Sequence, residues 1–182
     1  MDAVTESTED LVDGGGPRPA AATVLRPPAH RVSRKAIPFW TVRAALGWIV
    51  LGAAQVGWLL LDDSGAAAHV TGLVATVVLA VGHVSVMPRW RYRVHRFEIT
   101  PDVVYTQSGW FNTERRIAPI SRIQTVDTKR GPLEQLFGLT DVTVTTASAK
   151  GPVQINGLAA ADAQQLVSEL AEYTRAASGD AT

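Results

Sequence analysis

The sequence contains no cysteine and has no net charge. Its 182 residues include 17 Lys and Arg against 17 Asp and Glu. Without cysteine the chain cannot form disulfides, thiolate nucleophiles or cysteine-ligated zinc and iron–sulfur sites. Balanced charge gives no general attraction to nucleic acid, so we expect no nucleic-acid partner. What distinguishes this chain is therefore where its charged and apolar residues lie.

Two long stretches of the chain carry no formal charge. Ala44–Leu61 has 18 residues, and Ala66–Pro88 follows it after a short DDSG turn. A helix needs about 20 apolar residues to cross the roughly 30 Å hydrocarbon core of a bilayer. Neither stretch shows the polar stripe of a helix on a soluble protein. We therefore predict a transmembrane helical hairpin over residues 38–88, with helices at about 40–61 and 67–88; two buried helices of a soluble protein are the alternative.

Basic residues flank this hairpin, whereas its turn contains two aspartates and no Lys or Arg. By the positive-inside rule, both chain termini are predicted to be cytoplasmic, in a multi-pass protein of the plasma membrane. Arginines beside a membrane can contact anionic lipid headgroups, each contributing about 1 kcal/mol. The membrane-interface candidates are Arg43, Arg89, Arg91, Arg93 and Arg96.

The two ends of the chain have few large apolar residues. Residues 1–37 are rich in Pro, Gly and Ala, and residues 177–182 are short and polar. Such compositions bury too little apolar surface to offset the entropy of ordering. We predict a disordered cytoplasmic tail at each end. The first tail is acidic at its start, through Asp2, Glu6, Glu9, Asp10 and Asp13.

The pattern changes from helical to extended after the second apolar stretch. Six short runs rich in β-branched and aromatic residues predict strands: FEIT, VVYTQSG, WFNTERRIAPI, SRIQTVDTKRG, TDVTVTTAS and GPVQIN. GPLEQLFGL predicts one or two helical turns. GLAAADAQQLVSELAEYTRAAS predicts an amphipathic helix with one face to bury. Residues 89–176 are therefore expected to form a mainly-β domain, a bent sheet or small barrel capped by a C-terminal helix.

Several of these segments together resemble a known family. RYRVHRFEIT after a helical hairpin, then RIQTVDTKRGPLEQLFGL, and INGL before the last helix are similar to the YdbS-like bacterial pleckstrin-homology (PH) membrane proteins, over about Ile37 to Arg175. The resemblance implies a PH-like, seven-stranded bent barrel with a C-terminal helix. The fold class is then mixed: a transmembrane hairpin followed by this barrel. Only six strands are evident, so the seventh is expected from a break within residues 89–100. RWRYRVHR would then be both the end of the second helix and the first strand.

Basic and aromatic side chains in the predicted domain are the contact candidates. Eukaryotic PH domains often bind phosphoinositides through basic residues between the first two strands, but the corresponding TPD has none, so that function is not expected here. GWFN places two large aromatics in a turn, where they either contact a partner or pack on the domain. The basic side chains either face lipid or form a solvated rim. The candidates are Trp110, Phe111, Arg115, Arg116, Arg122, Lys129 and Arg130.

No set of residues suggests catalysis, a metal or a cofactor. His69 and His83 lie 14 residues apart, about 21 Å along a helix, too far for one metal site. A hydrogen bond between Gln55 and His83 is the simpler expectation. We therefore expect a non-catalytic binding or assembly module at the inner leaflet, with membrane lipids and a protein partner or a second copy as its contacts. An anionic-lipid or membrane-stress sensor, or an accessory subunit of a transport or export complex, is the alternative.

Overall fold

The computed structural model describes residues 26–62, 64–109 and 111–179. Residues 1–25 of the tail predicted at 1–37, residues 180–182 of the tail predicted at 177–182, Asp63 and Trp110 lie outside the described residues. In chain order the elements are β1 (His30–Arg31), α1 (Ala36–Leu61), α2 (Ala66–Val94), β2 (Arg96–Ile99), β3 (Val103–Ser108), β4 (Glu114–Pro119), β5 (Ile123–Lys129), α3 (Pro132–Phe137), β6 (Leu139–Thr146), β7 (Val153–Ala159) and α4 (Ala160–Gly179). They form two antiparallel sheets, β1-β2-β3-β4 and β5-β6-β7. The predicted fold class is confirmed, including six strands, the short α3 and the C-terminal helix.

The hairpin consists of α1 and α2, which have 26 and 29 residues. Both helices are long and apolar enough to cross a membrane, and their apolar stretches are not buried inside the protein. The chain reverses through Gly65, whose φ of 86° suits glycine at the start of α2. Asp62 orders the turn, since its Oδ1 accepts the backbone N–H of Ser64 at 3.0 Å.

Polar contacts join the two long helices at intervals of seven residues. The pairs are Trp48 with His83 (2.9 Å), Gln55 with Thr76 (2.9 Å) and Asp62 with His69 (3.5 Å). Seven residues are nearly two helical turns, so each helix returns the same face to its partner. The predicted bond between Gln55 and His83 is wrong, because His83 lies opposite Trp48, about two turns from Gln55. Gln55 Oε1 is buried and has no hydrogen-bond partner in the described part of the chain.

The structure corrects the prediction for RWRYRVHR. Residues 89–94 are the last turns of α2, and Pro88 lies inside this helix without ending it. Two arginines in the last turn suit the negative end of the helix dipole. The backbone N–H of His95 then donates to Arg91 O at 2.9 Å, and the extended chain begins at Arg96. No strand forms within 89–94, so the alternation of large and basic residues there is not a strand pattern.

The seventh strand comes from upstream of the hairpin. β1 pairs with β2, with His30 opposite Phe97. Its chain, residues 26–35, is called the N-terminal segment below and lies within the tail that composition predicted to be disordered. Pro28 and Val32 in it are buried, and the carboxylate of the buried Glu98 accepts from Arg26 and from the N–H of Ala29. Strand pairing and a buried carboxylate thus order a segment that its composition alone does not.

The core lies between the two sheets and α4. Its fully buried side chains include Val104, Leu139, Val142, Val144, Leu158 and Leu170. As predicted, α4 closes the sheets with one apolar face, to which Leu166 also belongs. The first turns of α1 extend this core, since Ala36, Phe39 and Trp40 are 0–4 % exposed. Phe39 meets Phe137 of α3 edge-on, with ring centroids 6.0 Å apart. The hairpin therefore starts inside the soluble domain.

A compact junction holds the hairpin against the domain. The Trp40 ring packs against the Arg91 guanidinium, 4.6 Å from its centroid, and against the His95 ring, with centroids 5.1 Å apart. Burial lowers the pKa of His95 to about 4, and the positive charge of Arg91 adds to this effect. Opposite Trp40, the Gly157 N–H donates to Asp141 Oδ1 at 2.8 Å, and burial raises the pKa of that carboxyl. Gly157 has a φ of 80°, which few other residues adopt.

Candidate functional site

A groove with basic walls runs along β4 beside the loop that joins β6 to β7. It encloses about 560 Å³. Four basic side chains and one acidic side chain line it, a net charge of +3 in a chain whose own net charge is zero. Its charged residues are Arg115, Arg116, Arg122, Lys150 and Glu114. We call this cavity the basic groove.

Arg116 builds the wall of the basic groove. Its Nη1 donates to the main-chain oxygens of Lys150 at 2.8 Å and Pro152 at 3.1 Å. Its Nε donates to Glu114 Oε1 at 2.7 Å. These bonds connect β4 to the β6–β7 loop. Arg116 is therefore a positioning residue, because its Nε and Nη1 groups are engaged within the protein.

Arg115 connects the basic groove to the end of the hairpin. Its Nε donates to Gln107 Oε1 at 3.2 Å, and Gln107 Nε2 donates to the main-chain oxygen of Val94 at 3.3 Å. Gln107 and Arg115 lie directly opposite each other in the β3–β4 ladder. Val94 is the last residue of α2. The groove therefore has a fixed position relative to the second long helix.

Arg122 and Lys150 are the available cations of the basic groove. Both are exposed, and neither side chain has a hydrogen-bond or ion-pair partner within residues 26–62, 64–109 and 111–179. Arg122 ends a single 3₁₀ turn between β4 and β5 that buries Ile120. Its main-chain oxygen accepts the N–H of Ala147 at 3.1 Å, which places it beside the β6–β7 loop. Such guanidinium and ammonium groups bind carboxylate or phosphate oxygens.

The structure divides the basic cluster predicted from the sequence. Arg115, Arg116 and Arg122 come together in the groove, whereas Lys129 and Arg130 lie at the opposite end of β5, ahead of α3. Phe111, in the β3–β4 connection, is 91 % exposed. The predicted contacts of these side chains with lipid or protein stay predictions.

Sequence reasoning missed Lys150 because it stands alone in its segment, 28 residues after Arg122. The signal that marks it is the turn sequence SAKGP between two strands, which predicts an exposed cation at a hairpin tip.

The predicted membrane-interface arginines have different surroundings. Arg43 and Arg93 are exposed on the two helices, and Arg89 Nη1 donates to the main-chain oxygen of Ser85 at 2.5 Å. Arg91 stacks on Trp40, and Arg96 Nη1 donates to the main-chain oxygen of Pro28 at 3.4 Å. Arg89, Arg91 and Arg96 therefore make contacts within the protein. The headgroup contacts of all five arginines stay predictions.

Comparison with known proteins covers both the hairpin and the domain. The family model of the bacterial PH domain matches residues 41–174, which run from the first turns of α1 to near the end of α4. The chain belongs to the bacterial PH domain family. The transmembrane protein YdbS of Bacillus subtilis (strain 168) is 32% identical over 108 residues, which cover 58% of this chain and 68% of that protein. No solved structure matches the chain significantly.

The bacterial PH domain match includes most of the helical hairpin together with the strands from β2 to β7. The resemblance to the YdbS-like proteins is thereby confirmed, and the chain is a membrane protein with a bacterial PH domain. This agrees with the junction, where the first turns of α1 belong to the core of the domain. Hairpin and domain form one structural unit rather than an anchor followed by a separate module.

The groove in this bacterial PH domain is distinct from the turn between the first two strands of the soluble part. That turn, Thr100–Asp102, is held by the Ile120 N–H, which donates to Asp102 O at 2.8 Å, and it has no basic residue. Among the described residues, no group of three or more His, Cys, Asp or Glu could hold a metal ion. The chemistry that this site offers is the binding of anionic groups.

Proposed function

We propose that this membrane protein holds its bacterial PH domain at the inner leaflet of the plasma membrane as a non-catalytic binding and assembly module. The basic groove is its contact surface, and the partner supplies an acidic protein segment. The observation that carries this proposal is a pair of exposed cations, Arg122 and Lys150, whose side chains have no partner among the described residues. They lie in a groove whose wall is joined to α2 through Gln107.

Electrostatics and tethering support a protein partner. Charged hydrogen bonds to carboxylates are shorter and stronger than neutral ones. The hairpin confines the domain to a surface, which raises the effective concentration of partners in the same membrane. The groove has no carboxylate free to act as a base, since Glu114 is engaged by Arg116. These features favour recognition over chemistry.

The orientation in this proposal has both termini in the cytoplasm, from the distribution of Lys and Arg. The absence of native cysteine makes it directly testable. Ser64→Cys in the hairpin turn is expected to react with a membrane-impermeant thiol reagent in intact cells. Ser148→Cys beside the groove is expected to react only after lysis. The reverse pattern would place the groove outside the cell and refute the inner-leaflet assignment.

Photo-crosslinking in intact membranes tests the function of the groove. A photoreactive residue replaces Ile117, which lines the groove, or Leu136, which is 78 % exposed on α3 outside it. A partner is expected to be captured from position 117 and not from 136. The double variant Arg122→Glu/Lys150→Glu is expected to abolish that capture.

The matched control for this experiment is Lys129→Glu/Arg130→Glu, which makes the same charge change on exposed residues outside the groove. Its capture from position 117 is expected to equal that of the unmodified chain. Equal capture from positions 117 and 136, or equal loss in both double variants, would show that the groove is not the contact surface. A captured second copy of this chain would identify the assembly as a homo-oligomer.

Anionic lipid is a second candidate ligand, favoured by the exposure of Phe111. This residue follows the end of β3, the part of the domain that Gln107 joins to α2. In vesicles containing the full chain, an environment-sensitive dye at Ser148→Cys is expected to respond to anionic lipid if headgroups enter the groove. An unchanged dye signal between zwitterionic and anionic vesicles would exclude this candidate.

A further inference from the structure

We propose that the acidic start of this same chain, residues 2–13, occupies the basic groove and competes there with other acidic segments. We call it the acidic segment. The inference rests on the proposed function of the groove as a surface for acidic partners, and it adds an occupant that the chain itself supplies.

Charge complementarity supports this assignment. The acidic segment has five carboxylates and no Lys or Arg, and the first basic residue of the chain is Arg18. The groove has a net charge of +3. A chain whose total charge is zero therefore concentrates opposite charges in its first residues and in one groove. Carboxylates and guanidinium groups of this kind form strong charge-assisted hydrogen bonds.

The described chain begins on the sheet that includes one wall of the groove. The main-chain oxygen of Arg26 accepts the hydroxyl of Tyr105 at 3.1 Å. Tyr105 lies directly opposite Ile117 in the β3–β4 ladder, and Ile117 lines the groove. Arg26 therefore contacts β3, the strand that pairs with β4 in the wall of the groove.

The length of the connecting chain also fits. Twelve residues, rich in Gly, Pro and Ala, separate Asp13 from Arg26. In general, a Gly-rich linker of twelve residues has a root-mean-square span of about 20 Å, which is several times the spacing of adjacent strands. A short flexible tether gives an effective concentration of the order of 1 mM. A segment with a dissociation constant of about 1 mM would then occupy roughly half of the grooves.

The consequence is self-competition. When the acidic segment fills half of the grooves, the apparent affinity for an external acidic partner falls about twofold, and tighter docking lowers it further. At half occupancy, removing residues 2–13 is expected to raise partner capture from position 117 by about twofold when the partner is below saturation. High salt is expected to weaken the docking, since the Debye length falls from about 8 Å at 0.15 M to about 3 Å at 1 M.

Distance measurement by double electron–electron resonance tests the docking directly. The cysteine-free full chain takes spin labels at Ser7→Cys and Ser148→Cys, which leave every charge in place. It is reconstituted as single copies in zwitterionic nanodiscs, so that neither anionic lipid nor a second chain competes. A distinct short-distance population is expected at low salt. It is expected to disappear at 1 M salt and in Arg122→Glu/Lys150→Glu.

Two controls make the result specific. Lys129→Glu/Arg130→Glu changes the charge equally outside the groove and is expected to retain the short distances. A label pair at Ser7→Cys and Ser168→Cys, with Ser168 exposed on α4, is expected to give a broad distribution. If the distances between the labels at positions 7 and 148 changed neither at 1 M salt nor in Arg122→Glu/Lys150→Glu, the docking proposal would be wrong. Partner capture from position 117 would in that case still support the proposed function, so the two proposals fail separately.

Discussion

Replacing Gly157 with alanine is expected to loosen the attachment of the hairpin to the domain. The φ of 80° at this position costs an alanine about 1–2 kcal/mol. The added methyl would lie 3.0 Å from Ala36 Cβ and 3.4 Å from Trp40 Cζ2, both buried. Overpacking of a tight core adds about 1–3 kcal/mol. The variant is therefore expected to lose about 2–5 kcal/mol of unfolding free energy.

A second glycine separates the two contributions. Gly151 has a φ of 78°, but a methyl there meets nothing within 4 Å. Gly151→Ala is therefore expected to lose only the backbone contribution of about 1–2 kcal/mol. Adding Ala36→Gly to Gly157→Ala removes the nearest clash. The double variant is expected to be more stable than the sum of the single effects by about 1–2 kcal/mol.

Urea unfolding of the purified chain in mild detergent, followed by brief proteolysis, measures these differences. Equal losses for Gly157→Ala and Gly151→Ala would refute the close packing of β7 against the first turns of α1. Strict additivity of Gly157→Ala and Ala36→Gly would refute it independently. Either result would also contradict the compact junction between the hairpin and the domain.

Three further predictions concern other buried polar groups. The pKa of His95 is lowered from 6.5 to about 4 in the folded protein. As the pH falls from 6.5 towards 4, the unfolded state therefore binds a proton before the folded state does. The free energy of unfolding is expected to fall by up to about 3 kcal/mol over this pH range. In urea titrations at several pH values, His95→Gln is expected to reduce this decline. Asp141, whose pKa is raised, has the opposite effect, but equally in the variant and the unmodified protein. Parallel plots of unfolding free energy against pH for the two proteins would exclude His95 as the cause. Thr76→Val strands the Gln55 amide and is expected to destabilise the hairpin by about 1 kcal/mol, whereas adding Gln55→Leu should recover part of this loss; thermal melting in detergent that shows no recovery would contradict the pairing. Glu98→Gln is expected to free the N-terminal segment at a cost of about 1 kcal/mol, seen as faster amide exchange in β1, and unchanged exchange would show that the ion pair with Arg26 contributes nothing.

The predicted hairpin and the predicted strands come from local patterns. Each pattern shows which face of one element must be buried. The patterns are two uncharged stretches of membrane-spanning length, period-two alternation after them, and an amphipathic helix at the end. Those features correspond to α1, α2, the six strands from β2 to β7, and α4. The one local misreading, RWRYRVHR, arose because alternating large and basic residues also fit the last turns of a helix whose exposed face contains arginines.

By itself, then, the sequence determined the helical hairpin, the order and type of the elements from β2 to α4, and the absence of cysteine chemistry. Only the tertiary structure decided that the N-terminal segment supplies β1, that Trp40 lies in the domain, and that Lys150 joins Arg122 while Lys129 does not. These outcomes depend on contacts such as His30 with Phe97, 67 positions apart. Periodicity along the chain reports the surroundings of each residue, but not which distant residue provides them.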